Sequence, residues 1–443
     1  MTRAIDQFIK NPKMALFTIS WPVIIGMLVQ VMYNIVDTAF VGRLGPKPIA
    51  AVTFTFPIFF LMSALTFGLN TGTNSLISRL VGARQYKKAE NAAMHSLMIT
   101  IIFSIGFAIL GMVFLKPLLI VSGAATDVLV LSTQFMNIIL IGSPVYFLMY
   151  TFSSIFTAQG DTKTATKIQV ISLIVNIILD PILIFYFRLG VRGAAFATII
   201  GISVGLILSL YYLFSLPAIL VRVKKSSFHL SKSIITDTLK VGIPAMLMQT
   251  LLSVYVILIN KFMAHYGTDF VAAFGLGSRI ESFATLPFFG LSVGMLTLSG
   301  IFYGAKKKKE LRSFIWYSLK VISGLACLMG VIFFFVSNYI FLIFTNDVTL
   351  LKLAEQYLRI DVITFPLMAI GFGIARIVQG MDDGVAGFVI TVTRVLIVFV
   401  PVAYLFTFVL GYSFLGIAWS MVIGGIVSNI VAVIYLRRKL RYL

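Results

Sequence analysis

The chain has 443 residues, of which 59% are hydrophobic and 11% charged, with a mean hydropathy of +1.03; an ordinary soluble domain carries roughly 25% charged residues. No soluble fold hides that much apolar surface, so large water-soluble domains are excluded. The formal charge of +20 would suit nucleic acid in a soluble protein, but the basic residues sit in joints between apolar stretches, as the positive-inside rule describes, and no nucleic-acid partner is expected. A single cysteine, Cys327, provides neither a disulfide framework nor a multi-cysteine metal site.

A membrane-spanning helix needs about 20 mainly apolar residues. Arg3, Lys10 and Lys13 precede the first such stretch, 15–42, which exceeds the about 7 to 15 residues of a signal-peptide core and is read as a retained helix. Five more follow at 48–80, 92–115, 128–158, 165–187 and 193–218, then six at 237–264, 270–304, 312–340, 353–380, 385–409 and 413–436. With the N-terminus placed in the cytoplasm, the inside joints hold 23 Lys and Arg against 7 outside. The inside set includes Lys224 and Lys225. Both termini are therefore expected in the cytoplasm, with the chain multi-pass in the plasma membrane.

The longest polar joint, about Val221 to Lys240, divides the chain nearly in half. An offset of 222 residues superimposes the two halves without a gap over their first two helices: Pro22 on Pro244, Tyr33 on Tyr255, Phe67-Gly68-Leu69 on Phe289-Gly290-Leu291, Gly72 on Gly294, and Gly82-Ala83 on Gly304-Ala305. Six spans per half make this a parallel repeat, with its axis along the membrane normal and substrate between the lobes. The expected fold is an all-α polytopic membrane protein of twelve transmembrane helices in two six-helix lobes related by a parallel pseudo-twofold: 1–220 as N-lobe, 221–240 as cytoplasmic linker, 241–443 as C-lobe.

Ionisable groups at bilayer depth cost about 2.5 to 3.5 kcal/mol on insertion scales and are functional suspects. Asp37 lies about five residues below the outer end of the first helix, with Gln30, Tyr33 and Asn34 on its face at spacings of seven, four and three. Asp180 in the fifth helix has Asn176 four residues before it and Pro181 just after. In the repeat, Asp37 aligns with Ile259 and Asp180 with Val400, so the acidic site belongs to the N-lobe alone. Two such carboxylates repel each other and are poorly solvated, so one should hold a proton near neutral pH, and either H⁺ or Na⁺ could occupy the site. Helix packing is the bland alternative. Pro181 frees the carbonyl of Ile177, leaving either a kink, as at Pro22, or a cation ligand. Arg279, Glu281, Arg359 and Asp361 sit near the outer ends of C-lobe helices and suit a salt bridge between helices better than a substrate site. No G-x-x-x-x-G-K-[ST] loop and no Ser/His/Asp set is present, so neither ATP-driven transport nor an enzyme is expected.

The run Asn34-Ile35-Val36-Asp37-Thr38-Ala39-Phe40-Val41-Gly42-Arg43-Leu44-Gly45, the Ala-Gln-Gly-Asp at 158–161 and Asn176-Ile177-Ile178-Leu179-Asp180-Pro181 resemble the multidrug and toxic compound extrusion family, over essentially the whole chain. The resemblance is to its DNA-damage-inducible-F-like branch, including archaeal members, and implies a polar N-lobe cluster for the coupling cation. On that pattern Asp37, Asn176, Asp180 and Thr198 bind H⁺ or Na⁺, with Gln30, Tyr33 and Asn34 lining the substrate cavity. It implies a secondary active exporter of amphipathic or cationic organic compounds, an antiporter that works by rocking its lobes, with no cofactor beyond the coupling ion. A monomer is expected. Another branch carries its cation site in the C-lobe, but here helix 7 has no carboxylate and Asp361 falls near the outer end of helix 10. A lipid or lipid-linked saccharide flippase is the alternative.

Overall fold

The computed structural model describes residues 2–215, 219–223 and 227–441, with side chains from residue 5 onward. Lys224, Lys225, Arg3's side chain and the predicted end of the sixth span at 218 lie outside the described residues. A short α1 (Thr2–Lys10) precedes the N-terminal spans α2 (Pro12–Gly42), α3 (Pro46–Gly82), α4 (Tyr86–Val121), α5 (Thr126–Ala158), α6 (Thr162–Pro181) and α7 (Val191–Ser215). The second half runs α8 (Lys232–Ala264), α9 (Thr268–Gly304), α10 (Lys308–Phe341), α11 (Val348–Asp361), α12 (Thr364–Gly380), α13 (Val385–Val392), α14 (Val400–Tyr404) and α15 (Leu415–Arg441). π-Helical turns at Ile182–Tyr186, Thr393–Phe399 and Leu405–Val409 extend α6 and join α13 to α14 into one span. Counting the bent pair α11 and α12 as one, the described residues contain twelve helical spans.

Local chemistry sets the helix ends. Pro12 and Pro46 open α2 and α3, where a missing N–H costs nothing. Asp161 caps α6 by accepting from the Thr164 N–H at 3.1 Å, and Asp347 caps α11 by accepting from Thr349 at 2.8 Å. Pro22 sits inside α2, which runs as one helix past it, while α6 gives way to a π-helical turn directly after Pro181. The linker is shorter than its composition suggests: Lys232–Lys240 already forms the first turns of α8, because a helix can project its basic end beyond the bilayer.

An even number of spans puts both termini on one face. On that side the lobes meet closely. A Cβ on Gly68 would strike Met246, and one on Gly290 would strike Ile24; Gly72 faces Thr238 and Gly242, and Gly294 faces Leu16 and Ser20; Gly82 faces Ile301, and Gly304 faces Arg79. In each couple both partners differ by the same 222 residues as the sequence repeat. Ser78 meets Gly300, its own counterpart, so the pseudo-twofold axis passes between them. Polar bonds reinforce the seam: Ser75 Oγ donates to the Gln379 carbonyl at 2.5 Å, Thr297 to Asn74 at 3.1 Å, and Arg376 to Thr71 at 2.9 Å. Asp382 bridges Arg79 at 2.7 Å and Lys240 at 3.4 Å. The lobes are therefore closed on the face of the termini.

Candidate functional site

Toward the opposite face the N-lobe contains a cavity of about 650 Å³. Gln30, Tyr33, Asn34 and Asp37 of α2 line it, together with Asn176 of α6 and Thr198 of α7. The α2 residues fall on the wall because their spacings of three, four and seven place them on one helical face. Gln169, seven residues before Asn176 on α6, joins them and donates to Gln30 at 3.4 Å; Gln30 in turn donates to Asn34 at 3.3 Å.

At the cavity's edge four helix positions converge. The Thr198 hydroxyl donates to the Ala194 carbonyl at 3.0 Å and accepts from Asn176 Nδ2 at 3.3 Å. Its only proton is thereby used, so the 3.5 Å contact with Tyr33 is a bond that the tyrosine donates. Asp37 is half-buried on the wall, whereas Asp180 is 0% exposed behind it. The two carboxyls are electrostatic neighbours. Asp37 Oδ1, both Asp180 oxygens and Asn176 Oδ1 are buried with no hydrogen-bond donor. Unmatched buried acceptors are costly, and four in one cluster make a site that accepts positive charge. Sequence reasoning anticipated Asp37, Asn176, Asp180 and Thr198, and the fold brings them together. It overlooked Gln169 and the Tyr146–Tyr150 pair on α5, whose rings lie 4.7 Å apart on the same wall; helical spacing from Asn176 would have found Gln169.

The C-lobe differs from expectation. Arg359 pairs with Glu355 one turn earlier on α11, and Arg279 lies over the Phe344 ring at 5.6 Å, so among the described residues neither bridges to a carboxylate of another helix. The span containing Asp361 begins at Val348, not 353, and breaks by 46° after Asp361. At 1.5 Å per residue that residue lies deep in the span rather than near its outer end, and it is 0% exposed. Its electrostatic neighbours are Glu281 and Arg394. Arg394, a basic residue inside a span, carried no role in the sequence reading, although the cost of charge at bilayer depth applies to it equally.

The MatE family profile matches residues 22–182 and 244–405, one copy in each half of the chain. The multidrug export protein MepA of Staphylococcus aureus is 27% identical over 438 residues, covering 97% of this chain and 95% of the relative. Among solved structures, an outward-facing multidrug resistance MATE family transporter of the MOP superfamily superposes with a TM-score of 0.93 at 28% identity over 98% of both chains. A MATE crystallised in a bent conformation gives 0.94 at 28% identity, covering 99% of this chain and 97% of the other. The doubled profile, the lobes closed on one face and the N-lobe cavity toward the other make this chain a member of the MatE family, the multidrug and toxic compound extrusion transporters.

Proposed function

We propose that the protein is a secondary active multidrug exporter that moves amphipathic or cationic organic compounds out of the cell in exchange for H⁺, Na⁺ or both. The observation that carries this reading is the cluster of donorless oxygens on Asp37, Asp180 and Asn176. Two carboxyls side by side need a proton or a cation between them. Carboxylate and amide oxygens suit a hard cation as well as a proton, with Thr198 fixing the Asn176 amide through its bond. The termini and linker face the cytoplasm, by the bias of basic residues, and the N-lobe, 1–220, carries the ion site. The chain acts as a monomer in the plasma membrane and catalyses no chemical reaction. Kinship with multidrug exporters supports export over lipid or lipid-linked saccharide flipping.

Each charge entering across the membrane releases about 2.3 kcal/mol per 100 mV. Coupling requires that ion and drug favour different lobe arrangements. In the outward-open arrangement the cluster meets the outside through the 650 Å³ cavity, where the ion loads as the drug leaves.

The test is efflux of a fluorescent organic cation from proteoliposomes with imposed pH or Na⁺ gradients. Asp37→Asn and Asp180→Asn should abolish uphill export while drug binding survives; Ile259→Asn and Val400→Asn, the repeat counterparts, should not. Wild-type efflux in both Asp variants would sink the proposal, and greater sensitivity at the C-lobe positions would put the site in the wrong lobe.

A further inference from the structure

The C-lobe holds a second cavity, of about 70 Å³, between α8, α9, α12, α13 and α15. Met248, Leu252, Phe288, Phe289, Leu367 and Phe372 give it an apolar wall. Arg394, on the π-helical turn Thr393–Phe399, is the charged residue on that wall. It is 9% exposed, and its Nε is buried with no hydrogen-bond partner. None of the ion pairs among the described residues involves it. Its guanidinium lies over the Tyr255 ring at 5.3 Å.

A guanidinium at this depth is expensive unless its charge is compensated. Glu281 and Asp361 supply a compensating field, yet neither lines the cavity, and among the described residues neither forms an ion pair with Arg394. The field balances the charge and leaves the Nε–H without an acceptor. The planar guanidinium fork matches a carboxylate or phosphate. π-Helical insertions often mark such positions, since the extra residue turns a side chain out of the regular helix.

We propose that this cavity is an anion-recognising subsite of the exporter, taking the acidic head of an amphipathic substrate on Arg394 and the start of its apolar stem along the wall. A water-sized probe occupies about 10 to 15 Å³, so the cavity holds a head group and a few stem atoms. Whole drug-sized ligands fill pockets of about 300 Å³ or more. The inference rests on the exporter reading but not on the N-lobe ion site.

The probe is dansyl-aminoundecanoic acid, with its methyl ester as the uncharged control, titrated into purified protein in detergent. Wild-type should prefer the acid over the ester about tenfold or more, as a charge-assisted bond implies. Arg394→Gln should lose that preference while gradient-driven efflux of a fluorescent cation stays within about twofold. Arg394→Lys should keep part of it, having the charge without the fork. Ala375→Leu, which fills the cavity without touching the charge, should weaken the acid alone. Asp37→Asn should show the opposite pattern, with export lost and acid preference kept. Displacement of the acid by phosphatidylglycerol would identify a lipid head as the occupant, and persistence of the acid would identify a soluble amphipath. An undiminished acid preference in Arg394→Gln overturns the proposal. So does parallel loss of acid binding and cation efflux, which would make Arg394 a support of the lobe.

Discussion

Thr198 shows how much one hydroxyl can organise. Its proton goes to the Ala194 carbonyl, and its lone pairs receive Asn176 and Tyr33, so it holds the amide that presents a free oxygen to the carboxyl pair. Thr198→Val keeps the volume but strands two buried donors, at about 1 to 3 kcal/mol for each. The expected result is an ion affinity roughly tenfold weaker, seen as a shift in the Na⁺ or pH dependence of efflux, with Thr198→Ser close to wild type. Equal ion dependence in Thr198→Val and wild type would show that Asn176 is held by something else. The acidic residues of this cluster were legible in the sequence because an acid at bilayer depth is costly and the repeat marks which lobe keeps it. Arg394 is buried too but escaped notice, since it was set aside with the few basic residues inside helices while the others served as topological markers.

At the scale of helices, hydropathy located nearly every span, because the bilayer leaves few ways to satisfy backbone N–H and C=O groups. Where it failed, composition misled for a physical reason. Lys352 makes the first turn of α11 look like a joint, so hydropathy starts the span at 353 and not at Val348; Arg359 neutralises Glu355 along the same helix and Asp361 is buried. The glycines of the α3–α9 seam give a sharper prediction. A side chain at Gly82 would press on the Ile301 backbone, which cannot turn aside as a flexible side chain does; overpacking of this kind costs about 1 to 3 kcal/mol. Gly82→Val should hold the lobes apart on the face of the termini. Cysteine at Ser75, on a background lacking Cys327, should then label faster and uphill efflux should fall. Gly106→Ala and Gly324→Ala, whose Cβ atoms would meet nothing within 4 Å, are the controls and should behave as wild type. Unchanged labelling at Ser75 in Gly82→Val would mean that the seam yields without opening.

The whole molecule is asymmetric in depth. The seam on the face of the termini is built of glycine contacts and of Arg79, Asp382 and Lys240, while the 650 Å³ cavity lies toward the other face. If the termini are cytoplasmic, a membrane-impermeant thiol reagent added to intact cells should label cysteine at Ser413 and spare cysteine at His229. The reverse pattern would invert the molecule in the membrane and with it the direction of transport.

The meeting of Ser78 with Gly300 has a consequence for the chain as a covalent object. A residue that touches its own repeat counterpart sits where two identical polypeptides would touch across a true dyad, so the fold is in effect a dimer whose subunits have been fused and have since diverged. The joining segment then need only keep the partners together. It is fastened to the first half by side chains, with Gln159 accepting from the Leu220 and Val221 N–H groups and His95 from Ser231. Residues 1–231 and 232–443 produced as separate polypeptides in one cell should therefore co-purify and restore efflux, whereas either fragment alone should not; failure of the pair to associate would show that the fusion has become indispensable to assembly.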